Sequence, residues 1–245
     1  MTHEEKKVYV FFGGSGRLGK EFLSKNPNYL APTSMDVDIT REKMVREYIH
    51  DVRPATVIHA AAVVGFREAE SNPEHAYRVN ACGTRAVARA CREADTRLVY
   101  ISTVSVYNGT RGMYSENDIP YPAYYYGWTK LLGEQAVRML DDAVVVRTDF
   151  FVPGMFKYKE AYTDHYCSKL PVAVVAEAVE AVIYSNFCGI IHIGGPRDTL
   201  FNILRKHDRD VRGVRIADSI IPRFPKDLSI DSKRFHTLYP NILPR

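Results

Sequence analysis

The chain has 245 residues, 46% of them hydrophobic and 25% charged, with a formal net charge of +4. That length supports a large self-sufficient core, and the ordinary composition excludes disordered and fibrous classes. No apolar run approaches the roughly 20 residues that a membrane helix needs, which argues against a membrane partner.

Strand-like and helical patterns alternate along the chain. A strand is expected over residues 7–12 and a helix from about Gly16, then a strand over 57–61 and a helix over 74–92. A strand over 98–102, a helix near 125–140 and a strand over 143–147 follow. Such alternation builds βαβ units, so the expected fold is α/β: a doubly wound parallel sheet of Rossmann type, with roughly six or seven strands. Pro153-Gly154 is a turn signal beyond which the alternation loosens. Residues 1–150 read as a dinucleotide-binding domain and 151–245 as a small C-terminal substrate lobe, with 189–194 a candidate strand returning to the main sheet.

The first chemical signal is Gly13-Gly14-Ser15-Gly16-Arg17-Leu18-Gly19, between the first strand and the first helix. Glycines there permit a tight turn and let a pyrophosphate approach backbone N–H groups at the helix N-terminus. A dinucleotide fingerprint that prefers NAD places an acid about 20 residues further on, to hold the adenosine ribose. This chain reads Tyr29-Leu-Ala-Pro-Thr-Ser34 at that point and has no carboxylate until Asp36. The fork of Arg17 suits a 2′-phosphate, so NADP (as NADPH) is the expected cofactor; Asp36 leaves NAD as the alternative.

The second signal is Tyr126-Gly-Trp-Thr-Lys130. With sixteen tyrosines in the chain, roughly one Tyr-x-x-x-Lys match arises by chance, so position rather than pattern carries its weight. It falls on a helix after the strand that ends in Ser102 and Thr103, where an open α/β sheet places its ligands. Four-residue spacing sets Tyr126 and Lys130 on one helical face. A cationic Lys130 is expected to lower the phenol pKa, making Tyr126 a general acid–base, with Thr103 holding the reacting oxygen.

The remaining residues support plainer readings. The four cysteines show no metal-ligand or disulfide spacing, and no metal is expected. His59 and His192 lie in strand-like runs and read as packed core histidines. From Arg197 onward eleven Lys and Arg face six Asp and Glu. Interspersed aspartates argue against nucleic acid as a partner, and leave either a solvated face or a wall meeting an anionic small molecule. The opening MTHEEKKVYV has no apolar leader, so a cytoplasmic location is expected.

The motifs in order resemble the extended short-chain dehydrogenase/reductases. They are Gly13-x-x-Gly16-x-x-Gly19, Asp38-Ile39-Thr40, His59-Ala-Ala-Ala62, Asn80-Ala-Cys-Gly-Thr84, Ile101-Ser-Thr-Val104, Tyr126-x-x-x-Lys130 and Leu132-Gly-Glu134. Within that group, Asp38-Ile39-Thr40, Gly189-Ile-Ile-His-Ile-Gly194 and Pro225-Lys-Asp-Leu-Ser-Ile-Asp231 look like dTDP-4-dehydrorhamnose reductase and related reductases of nucleotide-linked 4-keto-6-deoxysugars. The resemblance implies NADPH-dependent reduction of such a nucleotide-sugar substrate in deoxysugar biosynthesis, and leaves a homodimer open. It implies that Gly13, Ser15, Gly16, Arg17, Leu18 and Gly19 cradle the cofactor phosphates and that Asp38 and Ile39 flank adenine. It further implies that Ala60, Ala61 and Ala62 line the dinucleotide, that Lys130 bonds the nicotinamide ribose, and that Asn80 is structural or part of a proton relay.

Two departures stand out. The chain has Val104-Ser105 after the catalytic Thr103, without the Asp-Glu pair that the related dehydratases use, and its substrate lobe is trimmed after Gly154. Two alternatives stay open: a nucleotide-sugar epimerase of the same superfamily, and a non-catalytic NADP-binding subunit resembling the regulatory subunit of methionine adenosyltransferase.

Overall fold

Alternation of side chains along the strands divides the core in two. Phe11, Ile58, Val99, Val144 and Ile191 point to one buried cluster, while Val10, Phe12, Val57, Leu98 and Val145 point to the other. Strands buried on both faces belong to a parallel sheet covered by helices on each side. The computed structural model, which describes residues 7–155, 159–218 and 224–244, has that architecture. Its elements in the first half are β1 (Tyr9–Phe12), α1 (Arg17–Lys25), α2 (Glu42–Val52), β2 (Thr56–His59), α3 (Phe66–Ser71), α4 (Pro73–Tyr77), α5 (Thr84–Glu93), β3 (Arg97–Thr103), α6 (Tyr125–Val137) and β4 (Ala143–Thr148). Then follow β5 (Phe150–Phe151), β6 (Glu160–Tyr162), β7 (Tyr166–Cys167), β8 (Leu170–Pro171), α7 (Val172–Ile183), β9 (Gly189–Ile193), β10 (Asp198–Thr199), α8 (Leu200–Arg205), β11 (Arg212–Val214) and α9 (Lys233–Leu238).

The central sheet has five parallel strands in the order β1-β2-β3-β4-β9 among the described residues, fewer than the six or seven expected. The shortfall lies on the outer edge of β1. There Leu30 makes only an isolated parallel bridge to Val10, because Pro32 and the turn at Thr33 to Asp36 cut that segment short. Since the chain leaves β1 for Leu30 on one side and returns to β2 on the other, the sheet reverses direction at β1. Such a switch point opens a crevice at the carboxyl ends of the strands.

Helices α1 and α7 cover one face of the sheet, and α2 and α5 the other. The helix expected over 74–92 is α4, a single π-helical turn over Arg78–Gly83, and α5. The buried Asn80 explains the wide turn. Its amide accepts from Val63 N–H at 2.8 Å and donates to the Val63 carbonyl at 2.9 Å and to Thr129 Oγ1 at 3.0 Å, clasping the loop after β2 to α6. Residues 150–171 and 198–214 supply short two-stranded sheets, and none of the described helices is long and apolar enough to cross a membrane.

Candidate active site

One cavity of about 1140 Å³ opens at the carboxyl ends of the strands, and of the residues singled out in the sequence for cofactor binding or catalysis all but Asp36 line it. The glycine turn forms one end. Gly13 has φ +94°, and a Cβ there would stand 2.5 Å from the Ala61 backbone nitrogen. At Gly19 a Cβ would stand 2.4 Å from the Gly13 carbonyl oxygen. Only glycine at both places lets β1, the turn and α1 close on one another and expose their backbone. Helix α1 begins at Gly16 with no side-chain cap and no acid in its first turn, so its leading amides are left for an anion. These features fit a dinucleotide pyrophosphate.

Further along the same wall, Arg17, Thr33 and Ser34 line the cavity and Asp36 does not. The Asp36 carboxylate instead accepts from Thr33 N–H at 2.9 Å and from the Thr33 hydroxyl at 2.8 Å, and these bonds hold its pKa below the ordinary value. Asp38 is similarly occupied, accepting from Thr40 N–H and hydroxyl, while Ile39 packs beside Gly83.

Thr103 ends β3 and Tyr126 lies in the first turn of α6. They meet because α6 approaches closely: a Cβ at Gly127 would stand 2.1 Å from the Ser105 carbonyl oxygen, and one at Gly133 2.7 Å from the Tyr100 hydroxyl. The Thr103 oxygen accepts from Ser105 N–H at 3.1 Å, so its own proton is free to be donated, and the Tyr126 phenol is within its reach. Burial is the largest influence on that phenol and pushes its pKa up to about 12, against the pull of Thr103 and Arg17.

Lys130, 2% exposed, donates from Nζ to the Ile101 carbonyl at 2.8 Å and sits 4.1 Å from the centre of the Tyr100 ring. Burial lowers its pKa to about 7, despite the opposing pull of Glu134. The expected lowering of the phenol pKa by Lys130 is therefore not seen. A buried amine that has lost its proton well before the phenol titrates has no charge with which to stabilise phenolate.

Behind these residues runs a polar network that the sequence did not reveal. Ser102 donates to Glu134 at 2.5 Å, Glu134 pairs with Arg147 at 2.6 Å, and Arg147 donates to the Tyr107 hydroxyl at 2.7 Å. Tyr107 in turn hydrogen-bonds His192 Nε2 at 2.9 Å. His192 is packed as expected, as is His59, which meets Thr84 Oγ1 at 3.0 Å, and burial holds both imidazoles down to about 3. All four cysteines are free thiols.

From the segment that starts at Arg197, Phe224, Pro225 and Leu228 line the cavity but none of its described arginines and lysines does; Arg223 and Arg245 lie outside the described residues. Arg197 pairs with Asp227 at 2.7 Å, Lys206 with Asp198 at 3.1 Å, and Arg234 with Glu116 at 3.8 Å. A net count cannot show this pairing, because it does not say which acid meets which cation. The cations that do line the cavity are Arg17, Arg78, Lys130 and Lys169. Thr148, Asp149 and Phe150, at the carboxyl end of β4, and His165 and Lys169, from the segments before β8, also line it and were missed, because no motif links the two stretches.

The RmlD substrate binding domain model matches residues 7–159. The dTDP-4-keto-6-deoxy-D-glucose reductase of Streptomyces niveus is 40% identical over 147 residues, covering 57% of this chain and 51% of that protein. The chain thus spans about half the length of the curated reductases it matches first. Methionine adenosyltransferase 2 subunit beta of Rattus norvegicus is 30% identical over 92% of this chain and 80% of its own. The dTDP-4-dehydrorhamnose reductase of Bacillus anthracis, crystallised with NADP, superposes with a TM-score of 0.85 at 25% identity, over 95% of this chain and 93% of that one. With the family model covering more than half of its residues and the Rossmann-type sheet in place, the chain belongs to the RmlD substrate binding domain family.

Proposed function

We infer that this protein reduces the 4-keto group of a nucleotide-linked 4-keto-6-deoxyhexose at the expense of NADPH. The observation that carries the reading is the placing of Thr103 and Tyr126 in the same cavity as the open amides of α1. The glycine turn would hold the pyrophosphate, Arg17 with Thr33 and Ser34 the 2′-phosphate, and Lys130 the nicotinamide ribose. Bound there, NADPH supplies the hydride. Thr103 orients the carbonyl oxygen by hydrogen bond, and Tyr126 donates its proton to the alkoxide that develops. A phenol held near 12 is fully protonated at neutral pH, the state an acid in the reductive direction needs. In this reading residues 1–150 serve the cofactor, and the substrate lobe is the part of 151–245 outside α7 and β9, which join the central core. A cytoplasmic location accompanies it.

The reading is tested by incubation with NADPH and a dTDP- or UDP-4-keto-6-deoxyhexose. Stoichiometric loss of reduced-nicotinamide absorbance with formation of a 4-hydroxy product is expected. Interconversion of a nucleotide-sugar without net oxidation of NADPH would make it an epimerase. The long match to methionine adenosyltransferase 2 subunit beta prompts a second, non-catalytic reading, to which NADPH binding with no turnover of such a sugar would point in place of the first.

A further inference from the structure

At the end of the cavity away from the glycine turn, three side chains from separate elements come together. Asp149 follows β4, and Lys169 precedes β8; the two pair at 2.5 Å, beside the hydrogen bond from Leu170 N–H to the Asp149 carbonyl. His165 is buried next to Phe224, and its Nδ1–H donates to the Pro225 carbonyl at 2.8 Å. That bond fixes the tautomer, so Nε2 is left as an acceptor. Burial favours the neutral ring. Thr148, also on the lining, has a buried hydroxyl without a hydrogen-bond partner among the described residues.

We propose that Asp149, His165 and Lys169 form a subsite that reads the sugar hydroxyl next to the reacting carbonyl. The substrate class rests on the reductase reading. The choice of hydroxyl over phosphate rests on charge. A carboxylate, an ammonium and a neutral imidazole sum to zero, and the carboxylate repels a diphosphate, whereas donors and acceptors side by side suit a hydroxyl that must both give and accept. Proximity to the reacting centre is supported by strand register, since Thr148, next to Asp149, pairs with Thr103 across β3 and β4. A site that hydrogen-bonds a substrate hydroxyl rejects the analogue lacking it strongly, because buried polar groups are then left without partners.

The test compares wild type, Asp149→Asn and His165→Phe on two substrates: a nucleotide-linked 4-keto-6-deoxyhexose and its analogue lacking the hydroxyl adjacent to the carbonyl. KM for the complete sugar should rise about 10-fold or more in each variant, with NADPH affinity unchanged, while KM for the deoxy analogue should be the same in all three proteins. Lys206→Ala, on an exposed face of the same lobe and off the cavity lining, should leave both KM values at wild type and shows that the lobe tolerates substitution. Unchanged KM for the complete sugar, or equal penalties on both sugars, overturns the assignment. Should wild type turn over neither sugar, the reductase reading fails, and calorimetric titration then decides the subsite separately. The variants should weaken binding of a nucleotide-hexose and leave that of the nucleoside diphosphate unchanged; equal weakening of both, or no binding of either by wild type, overturns it.

Discussion

At the Gly13–Gly19 end of the cavity the chain presents backbone, and at the Asp149–Lys169 end it presents side chains. The first end depends on glycines whose replacement would drive a Cβ to within 2.5 Å of neighbouring main chain, so its geometry is set by seven consecutive residues. The second depends on an ion pair, a fixed histidine tautomer and the loop at Pro225, drawn from places up to seventy-six residues apart. A wall of backbone binds what is common to all dinucleotides; a wall of exchangeable side chains can be altered to suit one substrate without disturbing the fold. Thr103, Tyr126 and Lys130 stand between the two, and the Ser102–Glu134–Arg147 network ties the strand carrying Thr103 to the helix carrying Tyr126.

The largest expected effect tests that tie. Glu134→Ala removes one partner of an ion pair whose side chains are 0% and 1% exposed, leaving Arg147 charged and uncompensated. Unfolding by denaturant should show a loss of about 3–5 kcal/mol. A loss below about 1 kcal/mol would show that water or rearrangement replaces the pair, and that the two ends of the cavity are held by packing alone.

The next effect separates chemistry from binding. Tyr126→Phe keeps the ring and deletes the transferable proton, so turnover should fall about 100-fold or more while NADPH affinity stays within about two-fold. Near-normal turnover would exclude Tyr126 as the acid. Gly19→Ala should do the reverse. Its new Cβ forces the turn away from Gly13, so NADPH affinity should fall about 10-fold or more, measured by fluorescence titration, with the melting temperature lowered as the α1–β1 contact opens. Of similar size, Arg17→Ala should lower the preference for NADPH over NADH about 10-fold; an unchanged ratio would assign the 2′-phosphate to Thr33 and Ser34 alone.

This contrast also explains what was legible in the sequence. The parallel sheet, the turn and the positions of Thr103, Tyr126 and Lys130 follow from local signals: alternating strands, a glycine string at the start of a helix, and four-residue spacing. The expected total of six or seven strands is not reached among the described residues, and beside β1 Pro32 and the Thr33–Asp36 turn leave only a bridge at Leu30. For the basic segment from Arg197 the sequence leaves a solvated face or a wall toward an anion open; in the structure Asp227, Asp198 and Glu116 pair Arg197, Lys206 and Arg234, and none of its described arginines and lysines reaches the cavity. Asp149, His165 and Lys169 were invisible because no period or spacing links them. One signal pointed that way: Thr148 and Asp149 stand at the carboxyl end of a central strand, where α/β sheets place ligands. The burial that lowers the Lys130 pKa to about 7 is likewise a property of the packed site and not of the motif.

The smallest effect probes that last point. In the cofactor-free protein Lys130 titrates at about 7, so it is charged on the acid side and neutral on the alkaline side. A dinucleotide brings negative charge toward Nζ and favours the protonated form, which means that binding takes up a proton wherever the free amine has lost one. The sign follows: the dissociation constant should rise as pH increases through about 7, by a few-fold between about pH 6 and 8. NADPH is the wrong probe on its own, because its 2′-phosphate titrates near 6 and ionises in the direction that strengthens its contact with Arg17. NADH lacks that phosphate and isolates the lysine. Titration of NADH in two buffers of different ionisation enthalpy should report fractional proton uptake near pH 8 in wild type and none in Lys130→Met. A flat dissociation constant for NADH across this range, or the same slope in Lys130→Met, would remove Lys130 from the cofactor wall and leave it a packing residue beneath Ile101 and Tyr100.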